Sequence, residues 1–441
     1  MGGKDNVLRI LRHALVALLV LCCGVGWADG TITVRSPESL PSGKTFTLEE
    51  CIDLALRNQA SIREANAAVT NQSGQVQQSK SALLPGVSAS SSTQVLNDTP
   101  YQGTQVDLSA SQLIYDFGRS KSKLSSAQRQ LAASQEALSG TRDDVVLSVK
   151  QAYYNLLHTN GLVEVYAETL KDQEGHVTQA QEQKNVGVAP LADVLKAQAA
   201  AASARFDLVT ARNNADQARV ALDAAMGVDI QSPITIKEIA EPEPSSLDQQ
   251  QLVSIALTKR PEVLQSENLI QADQALVRVA QTGNMPSVST QFDRSQGIGQ
   301  GEAGSPNSYE LLMNVTWNAF DSGNTAGAIK SAKAQLESAQ EALYAAKQTV
   351  TQDVVQARLN VISAGEQLSS AVAEVASAKE NLGVATGRYE AGVGILLDVL
   401  DAEAALLKAE SDELAARYGL STARAVLEHA IGGSTMRGVN L

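Results

Sequence analysis

The chain is written twice. Leu84-Pro85 followed by Val87-Ser88 recurs as Met285-Pro286 followed by Val288-Ser289, an offset of 201. The segment from Leu131 to Leu138 recurs from Leu336 to Leu343, Gly187-Val188 as Gly392-Val393, and Asp193-Val194-Leu195 as Asp398-Val399-Leu400, each offset by 205. So constant an offset over so long a span is internal duplication. The fold must therefore contain two copies of one supersecondary unit, and each half tests the reading of the other.

Each copy switches between two periodicities. Thr47-Leu-Glu-Glu50 reads as a capping box. The spacing predicts a helix from there to about Leu84, with Leu54, Ala55, Ile62, Ala65 and Val69 near one face and Pro85 as the stop. Residues 86–115 alternate Ser and Thr with Val, Leu and Tyr, which is the period of a strand, with turn residues inside 94–103. A long helix is expected over 119–185, where Pro is absent. Roughly 65 residues at 1.5 Å each give about 100 Å, a length that implies coiled-coil packing. A turn at Gly187–Pro190 leads to a helix at 191–225, so the first repeat spans 47–233. A linker follows at 234–246.

The second repeat, 247–430, has the same order. It contains a helix at 247–279, a hairpin at 287–320 around a Gly- and Ser-rich loop at 294–307, a long helix at 323–389 and a helix at 396–430. A Gly-rich tail, 431–441, closes the chain. In each repeat two short helices end to end match one long one, so each repeat is a rod with a sheet tip.

Lys4, Arg9 and Arg12 precede an apolar run from Ala14 to Val25 and the small-residue end Gly26-Trp27-Ala28. Residues 1–28 read as a signal peptide whose apolar run is too short to span a bilayer, followed by an extended segment at 29–46. Cys22 and Cys23 leave lipid attachment as an alternative. After cleavage only Cys51 remains, so an internal disulfide is excluded. The net charge of -13 argues against a nucleic-acid partner. His158, His176 and His429 are scattered, and no nucleophile, metal or cofactor constellation points to an enzyme.

An exported chain without an apolar helix is either soluble or inserted as a β-barrel. Four strands cannot close a barrel alone and would expose edges, whereas three chains would supply twelve. Tyr115, Phe117, Tyr309, Trp317 and Phe320 lie near the strand ends. They read either as a bilayer-interface ring or as a cluster where sheet meets helix. The rival reading is a soluble periplasmic coiled-coil adaptor or structural protein. Adaptors usually carry one helical hairpin inside β-rich domains, and this chain has two hairpins and little other sheet.

At this point the chain resembles the TolC-like outer membrane factor family over nearly all of 46–430. The carrying pieces are Thr47 to Asn58 (TLEECIDLALRN), Leu84-Pro85, Tyr115-Asp-Phe-Gly118, Trp317 to Gly323 (WNAFDSG) and the turn plus helix at 389–403. The resemblance implies a mixed α+β membrane protein. It would be a homotrimer with a twelve-stranded outer-membrane barrel, four strands per chain, continuous with a periplasmic α-helical coiled-coil barrel. It implies a passive duct with no catalysis and no cofactor. Its expected partners are outer-membrane lipid, a periplasmic adaptor and an inner-membrane ABC or RND transporter.

Site residues follow. Asp398 and Asp401 are three apart at a helix start and share a face. By themselves they are more readily read as acids satisfying the first-turn N–H groups and the helix dipole. The resemblance implies rings of carboxylates that narrow the pore and disfavour anions. It also implies that Tyr389 and Asp193 latch the closed state, and that Gly187, Val188, Gly392, Val393 and Gly394 form the tip turns where an adaptor docks. The best-known type of family member has Arg where this chain has Gly394, so one charged link is missing.

Overall fold

The computed structural model describes residues 45–95, 102–187, 190–230, 234–238, 248–300 and 308–433. The expected signal peptide, Val188 and much of the linker lie outside the described residues. In chain order the elements are β1 (Thr45–Phe46), α1 (Leu48–Asn58), α2 (Ala60–Ser81), β2 (Gly86–Val95), β3 (Gln102–Tyr115), α3 (Arg119–Asn185) and α4 (Leu191–Met226). Then come β4 (Thr235–Ile236), α5 (Gln249–Lys259), α6 (Pro261–Gln281), β5 (Ser287–Gln300), β6 (Ser308–Thr316), α7 (Asn324–Glu390) and α8 (Leu396–Ala430). The fold is mixed α+β. Helix pair, strand pair, long helix and shorter helix occur in that order twice.

Thr47 caps α1. Its Oγ1 accepts from Glu50 N at 3.4 Å, and Glu50 Oε2 accepts from Thr47 N at 3.1 Å. The expected single helices over 47–84 and 247–279 are each broken in two. Gln59 and Arg260 adopt extended backbone, φ -64° and ψ 131° for one, φ -62° and ψ 126° for the other. At the second break Pro261 opens α6, and a residue before proline is pushed out of the helical region. At the first, the Gln59 side chain supplies the compensation: its Oε1 caps Ala60 N at 2.9 Å.

Both breaks receive the end of a helix. Gln59 Nε2 donates to the carbonyls of Ala224 and Ala225 at the end of α4, at 3.4 and 3.2 Å. Arg260 Nη1 donates to the His429 carbonyl at the end of α8, at 3.0 Å. The chain then leaves each helix through a left-handed glycine, Gly227 (φ 67°) or Gly432 (φ 73°). A Cβ on Gly227 would lie 3.1 Å from the Asn58 backbone, and one on Gly432 3.2 Å from that of Lys259. Each broken helix is thus the seat for its own repeat's last helix.

Apolar burial concentrates at these seats. Around the first, Cys51, Ala55, Val149, Tyr153, Leu222 and Met226 are fully buried. Around the second lie Leu252, Ala256, Val263, Val354 and Leu427. Each large aliphatic side chain so buried contributes about 1.5–3 kcal/mol. A feature not foreseen from the sequence closes the first core: β1 pairs in parallel with β4, Phe46 opposite Ile236, and Tyr153 Oη donates to the Lys237 carbonyl at 2.5 Å.

The four long strands form one antiparallel sheet in the order β2-β3-β5-β6. The two hairpins join through β3 and β5, leaving β2 and β6 as open edges in the single chain. The returning strand was expected to reach Phe320 but ends at Thr316. That residue pairs with Ser287, the first of β5, so no partner remains beyond it. Trp317 turns away, donating Nε1–H to the Asn284 carbonyl at 3.0 Å.

Candidate functional site

Two regions carry the geometry: the helix turns far from the sheet, and the two faces of the sheet.

At the first, α7 ends in a tight turn. Gly392, at φ 74°, donates to the Tyr389 carbonyl at 3.0 Å, and Val393 N donates to the Arg388 carbonyl at 3.0 Å. This pair of bonds is the usual way to end a helix with a left-handed glycine. Gly187, at φ 81°, makes the matching bond to the Lys184 carbonyl at 3.0 Å after α3. Gly394 also donates to the Arg388 carbonyl, at 2.9 Å. A Cβ at 394 would stand 3.0 Å from Tyr389 N and 3.1 Å from the Arg388 carbonyl carbon. The turn folds so closely over the helix end that a side chain there, Arg included, needs the backbone to shift. Val393 is exposed, as a docking contact requires.

Asp398 lies in the first turn of α8 and Asp401 one turn on, both exposed, while Leu396 and Val399 on the opposite side are buried. Among the described residues neither carboxylate has a hydrogen-bond or ion-pair partner. The repeat counterpart Asp193 instead faces Lys196, Oδ1 to Nζ 3.9 Å.

The structure does not bring Tyr389 and Asp193 together by a hydrogen bond. Tyr389 Oη donates to Gln183 Oε1 at 2.9 Å, tying α7 to α3. Beside it, Ala180, Val194, Ala197 and Leu396 form a small buried cluster shared by α3, α4 and α8. A second tie, missed in the sequence, lies deeper. Glu403 on α8 accepts from Gln173 Nε2 at 2.6 Å and bonds His176 Nε2 at 2.5 Å, both on α3. The bond to Glu403 holds the His176 imidazole above its ordinary pKa, against the opposing effect of burial. These partners are 227 and 230 residues apart in the chain, so no local spacing announces them.

The sheet is two-faced. Along β6, Tyr309, Leu311, Met313 and Val315 point one way and are 65–75% exposed. Register places Arg294, Phe292, Thr290 and Val288 of β5 beside them, and Leu108 and Ala110 of β3 beyond. The other face carries Asp107, Ser109, Gln291, Asp293 and Ser295, linked by Gln105 Nε2 and Ser295 Oγ to Asp107 Oδ1 at 3.0 and 2.6 Å. A break in register between Leu113 and Tyr115 puts Tyr115 opposite Val288, on the apolar face, where its ring lies 4.8 Å from that of Phe117. Such a bulge re-aims a side chain at the rim of a sheet. Tyr309 lies at the strand end remote from the helices. Tyr115, Phe117, Trp317 and Phe320 lie at the near end, all exposed.

No helix among the described residues is long and apolar enough to cross a membrane. Among them, too, no three His, Cys, Asp or Glu side chains are grouped to hold a metal.

The profile of the family described as Outer membrane efflux protein matches residues 51–228 and 252–433. The toluene efflux pump outer membrane protein TtgC of Pseudomonas putida is 24% identical over 408 residues, covering 88% of this chain and 83% of the relative. The outer membrane protein TolC of Escherichia coli is 24% identical over 391 residues, covering 81% and 76%. The crystal structure of the Campylobacter jejuni CmeC outer membrane channel superposes with a TM-score of 0.79 at 19% identity, covering 92% of this chain and 91% of that one.

Proposed function

Because the chain belongs to the outer membrane efflux protein family, we propose that three copies close their four-stranded sheets into one twelve-stranded barrel continuous with a helical tube. The protein is an outer-membrane exit duct extending into the periplasm, and not an enzyme. The single observation that carries the trimeric reading is the sheet itself. One face is apolar, the other polar, and both edges are open. Neither water nor lipid accommodates those edges, and a ring of copies removes them while turning the apolar face to lipid. Residues 47–233 and 247–430 are then two structural repeats, each giving one hairpin to the barrel and one helical hairpin to the tube, with 234–246 as the linker between them in an equatorial region.

The far helical turns form the periplasmic entrance. Asp398 and Asp401, exposed and without a partner among the described residues, form two rings of carboxylates there and favour cations. The tie from Tyr389 to Gln183 and that from Glu403 to Gln173 and His176 hold the two hairpins of one chain together in the closed state. Gly187, Val188, Gly392, Val393 and Gly394 present the adaptor's docking turns. The duct takes cargo handed over by an inner-membrane ABC or RND pump through that adaptor, in small-molecule efflux or type I protein secretion. The names of the relatives, among them a toluene efflux component, favour the first.

The test is ion conductance of the purified protein in planar bilayers, beside the double variant Asp398→Asn/Asp401→Asn. Small cation-selective channels that lose selectivity in the variant support the acid rings. A folded protein that neither trimerises nor inserts overturns the duct and restores the soluble coiled-coil reading.

A further inference from the structure

We propose that Arg294 and Tyr309 form a binding site for the phosphate headgroup of a membrane lipid, on the lipid-facing side of the sheet. The inference rests on the barrel reading above and adds a ligand to it. The two residues are direct cross-strand partners of β5 and β6, and the guanidinium carbon lies 5.4 Å from the centroid of the tyrosine ring. That cation–π contact ties the guanidinium to the tyrosine ring and leaves its N–H groups free to meet an anion.

The neighbours on that face are mostly apolar, Phe292, Leu311 and, on β3, Leu108 and Val106, with Gln296 the polar side chain next along β5. The acids of the sheet, Asp107, Asp293 and Glu310, fall on the other side of the pleat. Among the described residues no carboxylate comes within ion-pair distance of Arg294. Among the described residues this exposed arginine has no counter-charge, and on a lipid face a headgroup can supply one.

Depth decides what that counter-charge is. From Thr316 to Tyr309 the strand rises ~24 Å, and at the usual barrel tilt this is roughly 18 Å of membrane height, most of the apolar band of such barrels. The two aromatic levels thus bracket the bilayer, and Arg294 sits at the level remote from the helices. An arginine on the lipid face is costly at the midplane and nearly free at the boundary. At that boundary the abundant anion is the lipid phosphate, whose oxygens match the guanidinium fork in a bidentate pair.

The test uses the full-length protein in nanodiscs of phosphatidylcholine with a minority of phosphatidylglycerol, counting co-purified phosphatidylglycerol by native mass spectrometry. Wild type is expected to enrich phosphatidylglycerol, Arg294→Gln to lose that preference roughly tenfold, and Arg294→Lys to keep part of it. Equal enrichment by wild type and Arg294→Gln overturns the site. Competition by millimolar inorganic phosphate in pure phosphatidylcholine discs, with no gain from lipid, also overturns it, since the site is then for a free anion. Quenching of Trp fluorescence by brominated lipid, with trimer mass, checks the barrel separately. Quenched trimers without lipid preference sink the site alone, and unquenched monomers sink the barrel too.

Discussion

Asp116 and Asp321, 205 positions apart, hold their turns with the same pair of bonds. Asp116 accepts from Gly118 N at 3.1 Å and Ser120 N at 2.7 Å, and Asp321 from Gly323 N at 3.1 Å and Thr325 N at 2.7 Å. In both, a non-glycine residue at positive φ (Phe117, 56°; Ser322, 52°) precedes a glycine at positive φ (Gly118, 84°; Gly323, 89°). Each carboxylate satisfies orphan N–H groups of a long helix where the chain leaves the sheet.

Removing either carboxylate is expected to free the first turn of α3 or α7 without unfolding the sheet. Asp321→Ala should speed amide exchange at residues 323–326 by about tenfold, the worth of one helix cap, and Asp116→Ala should do the same at 118–121. Exchange unchanged at those amides, measured by mass spectrometry, counts against the capping role.

The two helix breaks predict a difference between equivalent positions. Arg260 is buried, bonds the His429 carbonyl, and is paired to Glu262 at 3.0 Å and Asp353 at 3.5 Å. Gln59 does the corresponding work without charge. Arg260→Ala should destabilise the seat of α8 by about 2 kcal/mol, because it leaves a helix-end carbonyl without its donor and removes a buried side chain. Arg260→Gln copies the first repeat and should cost less than half of that. A thermal-unfolding series in which both variants lose equally would contradict the equivalence.

Why some of this was legible and some was not follows from range. The mixed α+β fold was readable because period two and helical period alternate, and the duplication doubled each signal. The break at Arg260 also had its mark, the following Pro261. That at Gln59 had none of its own, since glutamine is a good helix former, and only alignment with the second repeat points to it. The β1–β4 pair joins residues 190 apart through two-residue strands, too short to show alternation. The acids of the tip were reached through resemblance rather than chemistry. An aspartate in a helix's first turn has the same spacing whether it faces a pore or simply caps. The Gln183, Gln173, His176 and Glu403 ties depend on which long helices touch, which no local pattern encodes.

Asp223 predicts a pH effect on stability. It is fully buried beside the first core, and neither carboxylate oxygen has a hydrogen-bond partner. Burial pushes its pKa up from 3.8 to about 6, with Arg219 opposing and Asp229 adding. The fold therefore prefers the protonated form. Its contribution is fully present below the unfolded value near 3.8 and is lost as pH rises to about 6, a loss of order 2–3 kcal/mol. Asp223→Asn should remove the charge, flatten stability between pH 4 and 6, and raise the melting temperature at pH 7.5. A variant less stable than wild type at pH 7.5 would show that the carboxylate is needed ionised.

His176 predicts a pH effect on the entrance. Its bond to Glu403 raises the imidazole pKa, burial opposes this, and Gln179 and Asp172 on α3 add to the rise. Asp172 is itself held above the usual carboxylate range by burial, then by Glu403 and Glu168, so some of the negative charge facing His176 is muted at low pH. A raised histidine stabilises the structure that contains it below the unfolded value of 6.5, and that stabilisation is lost as pH climbs through the folded value. The link between α3 and α8 is therefore tight at mildly acidic pH and weak at alkaline pH. Conductance in planar bilayers should rise as pH climbs from mildly acidic to alkaline, as the imidazole loses its proton and the link loosens. His176→Gln, which keeps a donor toward Glu403 but cannot titrate, should lose that slope. A slope unchanged by the substitution would assign the pH response to other groups and leave the His176–Glu403 bond as packing only.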